Sequence, residues 1–237
     1  KHVFERDVLD TFQQPDGLVP FRIPRSEAGR LLREKVESWS QRLMGMFDNN
    51  RVKRSIIEPV FLPYWVFDAG VDVRQTTVRN SRYEMAREQY GNGFVNALPG
   101  YESTMIPDAV NNVLVSAVTS PSRLLTRRLG EFELGEMMDY TPKLLAKYPA
   151  EIYSIDFDKA SLQARQYIGD IMRSRYESRN RGATRVNVYS EVKHMSFRLL
   201  LLPVWVVTLF EDDGDIRPAL VNGQTGQVVL GKAKKST

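Results

Sequence analysis

The sequence contains no cysteine and only two histidines, His2 and His194. The first absence excludes disulfides, thiolate nucleophiles and cysteine-ligated zinc within these residues. The second leaves little imidazole for a metal site or a general base. Long apolar runs are missing too. The longest, Leu199 to Phe210, is twelve residues, whereas a membrane-spanning helix needs about 20, so this run reads as a buried core element. Charge of one sign is scarcely in excess: 33 Lys and Arg against 29 Asp and Glu give a net +4, although the pI is about 9.2. So small a surplus does not imply nucleic acid unless the cations cluster. There is no low-complexity segment and no targeting pattern, and the chain, starting at Lys1, reads as a trimmed piece of something longer.

What is present belongs to an ordinary globular protein. The 237 residues are 42% hydrophobic and 26% charged, enough for one large or two small domains with a real core.

Self-similarity gives the organisation. The stretches "FRIPRSEAGRLLREKVESWSQRL" and "YSIDFDKASLQARQYIGDIMRSR" each lead an extended segment into a helix. Ser26 and Asp158 are the expected N-caps. Ala28, Leu31, Leu32, Val36, Trp39 and Leu43 recur at helical spacing in the first, and Ala164, Tyr167, Ile168, Ile171 and Met172 in the second. Each helix precedes an aliphatic strand with a Leu-Pro step and a tryptophan: Pro63 and Trp65, then Pro203 and Trp205. A proline in such a strand predicts an edge position or a bulge. The expectation is an α+β fold of pseudo-duplicated units, with both helices packed on a shared antiparallel sheet. Its parts are an extension over 1–16, a first unit over 17–99, a structured connector over 100–149, a second unit over 150–232 and a basic tail over 233–237.

Near the end, Gly226-Gln-Val-Val-Leu-Gly-Lys232 is one residue short of the phosphate-binding G-x-x-x-x-G-K-[ST]. That loop requires a following helix and a Ser or Thr, whereas position 233 is Ala and β-formers fill Val228 to Leu230. Asn222-Gly223 between two apolar runs instead predicts a hairpin, with the last strand over Val228 to Leu230. The acidic run Glu211 to Asp215 resembles part of a calcium loop, but a strand follows at once, so a solvated turn is expected. Arg173, Arg175, Arg179, Arg181 and Arg185, with Tyr176 among them, are candidates for an anionic partner. Their simpler reading is a helix C-terminus whose cations complement its dipole. Arg123, Arg127 and Arg128 form a second group at helical spacing. Glu131, Glu133 and Glu136 read as a solvated helix face, and His194 as a strand-end residue. Trp65 and Trp205 read as core anchors, each indole N–H needing one partner. No Ser-His-Asp order, dinucleotide fingerprint or helicase motif occurs.

The segments "VYSEVKHMSFRLLLLPVWVVTLF" and "RPALVNGQTGQV" resemble the C-terminal half of bacterial proteins with a transcription-factor-type zinc ribbon, often labelled primosomal-helicase-like. The matching positions are Pro63, Tyr64, Trp65, Phe67 and Asp68; Tyr189, Ser190 and Val192; Leu201 to Trp205; and Val221 to Gly226. The likeness extends over most of 17–230. It implies a domain that accompanies a zinc ribbon, sometimes with membrane spans, and in some members a part in envelope-stress assemblies. This chain has neither the cysteines nor the Pro-aromatic continuation of that pattern.

Together these point to a domain that is not an enzyme and needs no cofactor: a scaffold or adaptor in a larger, membrane-associated assembly, working with protein partners. A reducing compartment is expected, whether cytoplasm, mitochondrial matrix or stroma, at a membrane face. The alternative is a nucleic-acid or ribosome-associated binder using the arginine-rich surface. Pro63, Trp65, Pro203, Trp205, Asn222, Gly223 and Gly226 are the expected structural anchors.

Overall fold

The computed structural model describes residues 13–43, 52–79, 100–146, 148–179, 185–212 and 214–235. Among them are strands β1 (Gly17–Leu18), β2 (Val52–Arg79), β3 (Gly100–Ser116), β4 (Met138–Asp139), β5 (Arg185–Glu211), β6 (Ile216–Asn222) and β7 (Val228–Leu230). The helices are α1 (Arg25–Leu43), α2 (Arg123–Arg127) and α3 (Phe157–Arg179). The fold is α+β, with helices on a sheet of order β3-β2-β5-β1-β4, and with β6 pairing to both β5 and β7. The sheet is mixed rather than purely antiparallel, because β1 runs parallel to β5 while β4 returns antiparallel to β1.

Both long helices begin one residue before the expected caps. Asp156, not Asp158, caps α3, its carboxylate accepting the Lys159 amide at 2.9 Å. In α1, Ser26 lies inside the first turn and the Ala28 amide already donates to the Pro24 carbonyl. The two prolines lie in interior strands, so the expected edge placement is corrected. In β5 the carbonyls of Leu199, Leu201 and Pro203 accept from Asp16, Val19 and Gly223 in turn. Backbone groups alternate sides along a strand, so the proline nitrogen faces the junction where β1 ends and the β6 hairpin begins. No ladder donor is needed there. Pro63 sits at an equivalent junction: Phe61 pairs with the segment around Ala150, and the Pro63 carbonyl accepts from Ala117.

The described residues form two compact units. The first draws on those up to Val66, on Leu114–Ala160 and on those from Arg198; the second draws on those within Phe67–Val113 and Ser161–Phe197. The division runs across the sequence halves rather than between them.

In the first unit, two sets of hydrogen bonds match. The Trp65 indole donates to the Ile155 carbonyl at 2.8 Å, and the Trp205 indole donates to the Ile23 carbonyl at 3.0 Å. The amides of Ser154 and Ile155 share the Ala117 carbonyl, as those of Arg22 and Ile23 share that of Gly223. Glu151 donates to Phe61, and Val19 to Leu201. The segment leading into each helix is therefore laid along a strand of the other half. Around these bonds lies an apolar core that includes Val19, Leu62, Val66, Leu129, Leu200, Leu202, Val204 and Leu220. A second cluster joins Ala28 and Leu32 of α1 to Trp205, Val207 and Val221. The side chains of Trp39 and Leu43 lie outside the described residues.

In the second unit, Ala164, Ile168, Met172 and Tyr176 are the buried stripe of α3, while Ile171 is exposed. Phe67, Val71 and Val73 of β2 and Val110 and Val113 of β3 are buried there too.

Candidate functional site

The Asn222-to-Gly226 stretch makes a tight reversal between β6 and β7, whose register pairs Val221 with Val228. It is not a two-residue turn centred on Asn222-Gly223. The Asn222 amide donates to the Gln227 carbonyl and the Gly226 amide to the Asn222 carbonyl. The left-handed residue is Gly226, with φ +79. Side-chain chemistry shapes the loop: the Asn222 carboxamide oxygen accepts the amides of Gln224 and Thr225 at 2.9 and 3.0 Å. This is the local turn-forming habit of asparagine. Gly226 also leaves room for Leu31 of α1, which a β-carbon would crowd at 2.7 Å.

The same loop grips a distant segment. The Asn222 Nδ2 donates to the carbonyls of Leu129 and Glu131 at 3.3 and 3.2 Å. Gln224 accepts the Glu133 amide at 2.8 Å and returns a bond to the Glu133 carbonyl at 3.2 Å. Its Nε2 also reaches the Glu136 carboxylate at 3.1 Å. Gln227 donates to the Arg128 carbonyl at 3.0 Å. Asn222 and Gln224 are almost wholly buried, at 0% and 3%, so the bonds of these two are largely screened from water, while that of Gln227 is exposed. Three carboxamides thus act as a clasp on the backbone of 128–136. A carboxamide suits this because it carries two donors and an acceptor.

The glutamates named in the sequence fall on this clasped segment and not on a helix face. Leu134–Glu136 is a single 3-10 turn. Glu133 and Glu136 both pair with Arg22, the former at 3.0 Å. Lys232 lies in extended chain after β7, with no helix following among the described residues. The phosphate-loop letters therefore belong to a hairpin, as its spacing predicts.

The acidic run closes the turn between β5 and β6. Its Glu211 forms a buried ion pair with Arg217, whose guanidinium also donates to the Gly231 carbonyl at 2.8 Å. Asp213 lies outside the described residues. Among the described residues, no group of three His, Asp or Glu is placed to hold a metal ion.

The arginine-rich stretch is largely drawn into the second unit's own structure. Arg175 donates to both oxygens of Asp108 at 2.8 and 2.9 Å, and the Tyr176 hydroxyl donates to Asp108 at 3.0 Å. Burial opposes ionisation of Asp108, but the Arg175 guanidinium, the Ala109 amide and the Tyr176 hydroxyl outweigh it and hold the carboxyl below its usual range. Tyr176 is pushed up, by burial first and then by Asp108. Arg173 is exposed and pairs with Asp170 at 3.7 Å, and Arg179 stacks over the Tyr176 ring at 5.1 Å. Arg181 and the side chain of Arg185 lie outside the described residues. His194 stands in the interior of β5, not at its end, and its exposed ring covers Gly70, where a methyl group would overlap it.

One concavity was not legible in the sequence. A half-open groove of about 320 Å³ is lined by Pro15, Pro63, Tyr140, Pro142, Ile152 and Tyr153, among others. Its residues come from four separate stretches of chain, so no local motif marks it. Ile152 is 46% exposed on its wall, and the Tyr153 hydroxyl accepts the Gln13 amide at 3.1 Å.

Comparison of the chain with protein-family models, with curated proteins and with solved structures gave no match. No helix among the described residues is long and apolar enough to cross a membrane.

Proposed function

We propose that this chain is a non-catalytic scaffold or adaptor domain within a larger, membrane-associated assembly, built from two repeated helix-and-strand units with exchanged lead-in segments. The observation that supports the reading most is where its distinctive polar side chains are spent. Asn222, Gln224, Gln227, Trp65 and Trp205 all bind the chain's own backbone. Such residues make a stiff frame. The groove beside Ile152 gives that frame an apolar seat for a partner, and aromatic and aliphatic anchors in a concave surface are how protein interfaces concentrate affinity.

Affinity purification of the full chain, run beside Ile152→Asp, tests this. Specific partners retained by the wild type and lost by the variant support the reading. Nucleotide turnover that Lys232→Ala abolishes contradicts it. The nucleic-acid alternative draws less support, because Arg175 is committed to Asp108 and Arg173 to Asp170.

A further inference from the structure

The second arginine group and the basic tail are far apart in sequence, yet they meet in the first unit. Leu125 of α2 is buried, and its Cδ1 lies 3.3 Å from where a β-carbon on Gly231 would stand. Gly231 is anchored by its amide to the Pro218 carbonyl at 2.8 Å and by its carbonyl to Arg217. Lys234 is fixed next, exchanging backbone bonds with Ile216 at 2.8 and 2.9 Å. The segment that carries exposed Arg123, Arg127 and Arg128 therefore packs at Gly231, where the stretch that carries exposed Lys232, Lys234 and Lys235 begins. Segments 121–130 and 226–237 themselves contain no acidic residue; the nearest in sequence are Glu131, after the first, and Asp215, beside the Ile216 that pairs with Lys234. Leu124, between Arg123 and Arg127 in the helix, is 75% exposed. Arg127 and Arg128 follow it by three and four residues, which puts them on its side of the helical turn.

We infer that this patch docks the domain on an anionic lipid surface, with Leu124 entering the headgroup boundary and the six cations contacting acidic headgroups. Charge alone would suit nucleic acid equally well. An outward leucine next to the arginines does not, since it gains from burial only where the partner has an apolar layer. The inference rests on the membrane-associated part of the proposed function and leaves the partner groove untouched. Each basic residue near an anionic leaflet strengthens binding several-fold, and the attraction fades within a Debye length.

Vesicle co-sedimentation of the full chain, with phosphatidylcholine alone and with phosphatidylserine added at about a third of the lipid, is the test. Binding is expected only to the mixed vesicles and to weaken with salt. Replacing Arg123, Arg127 and Arg128 together by Gln should weaken it on the order of 100-fold. Leu124→Ser should weaken it roughly tenfold with melting unchanged, Leu124 being exposed. No binding to mixed vesicles, equal binding to both kinds, or a full effect of the arginines with none of Leu124 overturns the inference. So does tighter binding to a single-stranded oligonucleotide than to the vesicles. Loss of vesicle binding with partner capture intact separates this failure from failure of the scaffold reading.

Discussion

Gln224 and Glu133 exchange two hydrogen bonds, side chain to backbone: the Glu133 amide donates to the Gln224 Oε1 at 2.8 Å, and the Gln224 Nε2 donates to the Glu133 carbonyl at 3.2 Å. A glutamine side chain thus behaves as a strand partner for a chain segment about ninety residues away. Together with Asn222 and Gln227 it turns a hairpin loop into the fastening for 128–136.

Removal of that fastening should cost stability. Asn222→Ala deletes four hydrogen bonds and leaves the Leu129 and Glu131 carbonyls without this donor. The expected loss is about 2–4 kcal/mol in urea unfolding. Asn222→Asp separates the two halves of the role. It keeps the turn-forming oxygen and replaces the donor, so it should be more destabilised at neutral pH and recover in part as acid protonates the new carboxyl.

The two indoles serve matching bonds. Trp65→Phe and Trp205→Phe keep an aromatic ring but remove the N–H that serves Ile155 or Ile23, together with part of the buried indole's volume. Each should lose about 1–3 kcal/mol, and the alanine variants about 3–5 kcal/mol, read from thermal melts. A neutral effect of one phenylalanine variant beside a large effect of the other would show the pair to be unequal.

Much of the layout could be read from the residues, and the misses have physical causes. The two helical stripes were legible because Ala28, Leu32, Ala164, Ile168 and Met172 repeat at helical spacing, and all are buried. The last strand was legible because β-formers follow a turn signal. The caps were missed by two residues in α3 because Asp156 and Asp158 compete locally, and only the Lys159 amide decides between them. The prolines misled because an edge strand and a junction between two partners both spare a ladder donor. Nothing local could reveal that Ile23 serves Trp205 and Ile155 serves Trp65, since those bonds join residues 182 and 90 positions apart. The groove was hidden for the same reason.

The Asp108 cluster predicts an acid-sensitive second unit. A carboxyl whose folded pKa is lowered contributes stability present above its unfolded value, about 4, and lost as pH falls through the lower folded value. Burial works against Asp108 ionisation, and Arg175, Ala109 and Tyr176 more than offset it. Asp108→Asn should therefore be less stable at neutral pH than the wild type, and the difference should shrink below about pH 4. Urea midpoints across that range give the comparison.

Gly226 should resist substitution for two separate reasons. Its φ of +79 is strained for any residue with a β-carbon, and Leu31 would be met at 2.7 Å. Gly226→Ala should lose about 1–3 kcal/mol. Adding Leu31→Ala should relieve the contact but not the strain, so the double variant should lose less than the sum of the two singles.

Amide hydrogen exchange at Glu133, in the wild type and in Gln224→Ala, tests the clasp most directly. The Glu133 amide should exchange slowly in the wild type, with its donor bond held at 2.8 Å, and markedly faster in the variant, while the amides of the β5–β6 ladder keep their protection. Unchanged exchange at Glu133, accompanied by loss of nucleotide or phosphate binding in the same variant, would contradict a structural role and return these residues to a ligand site.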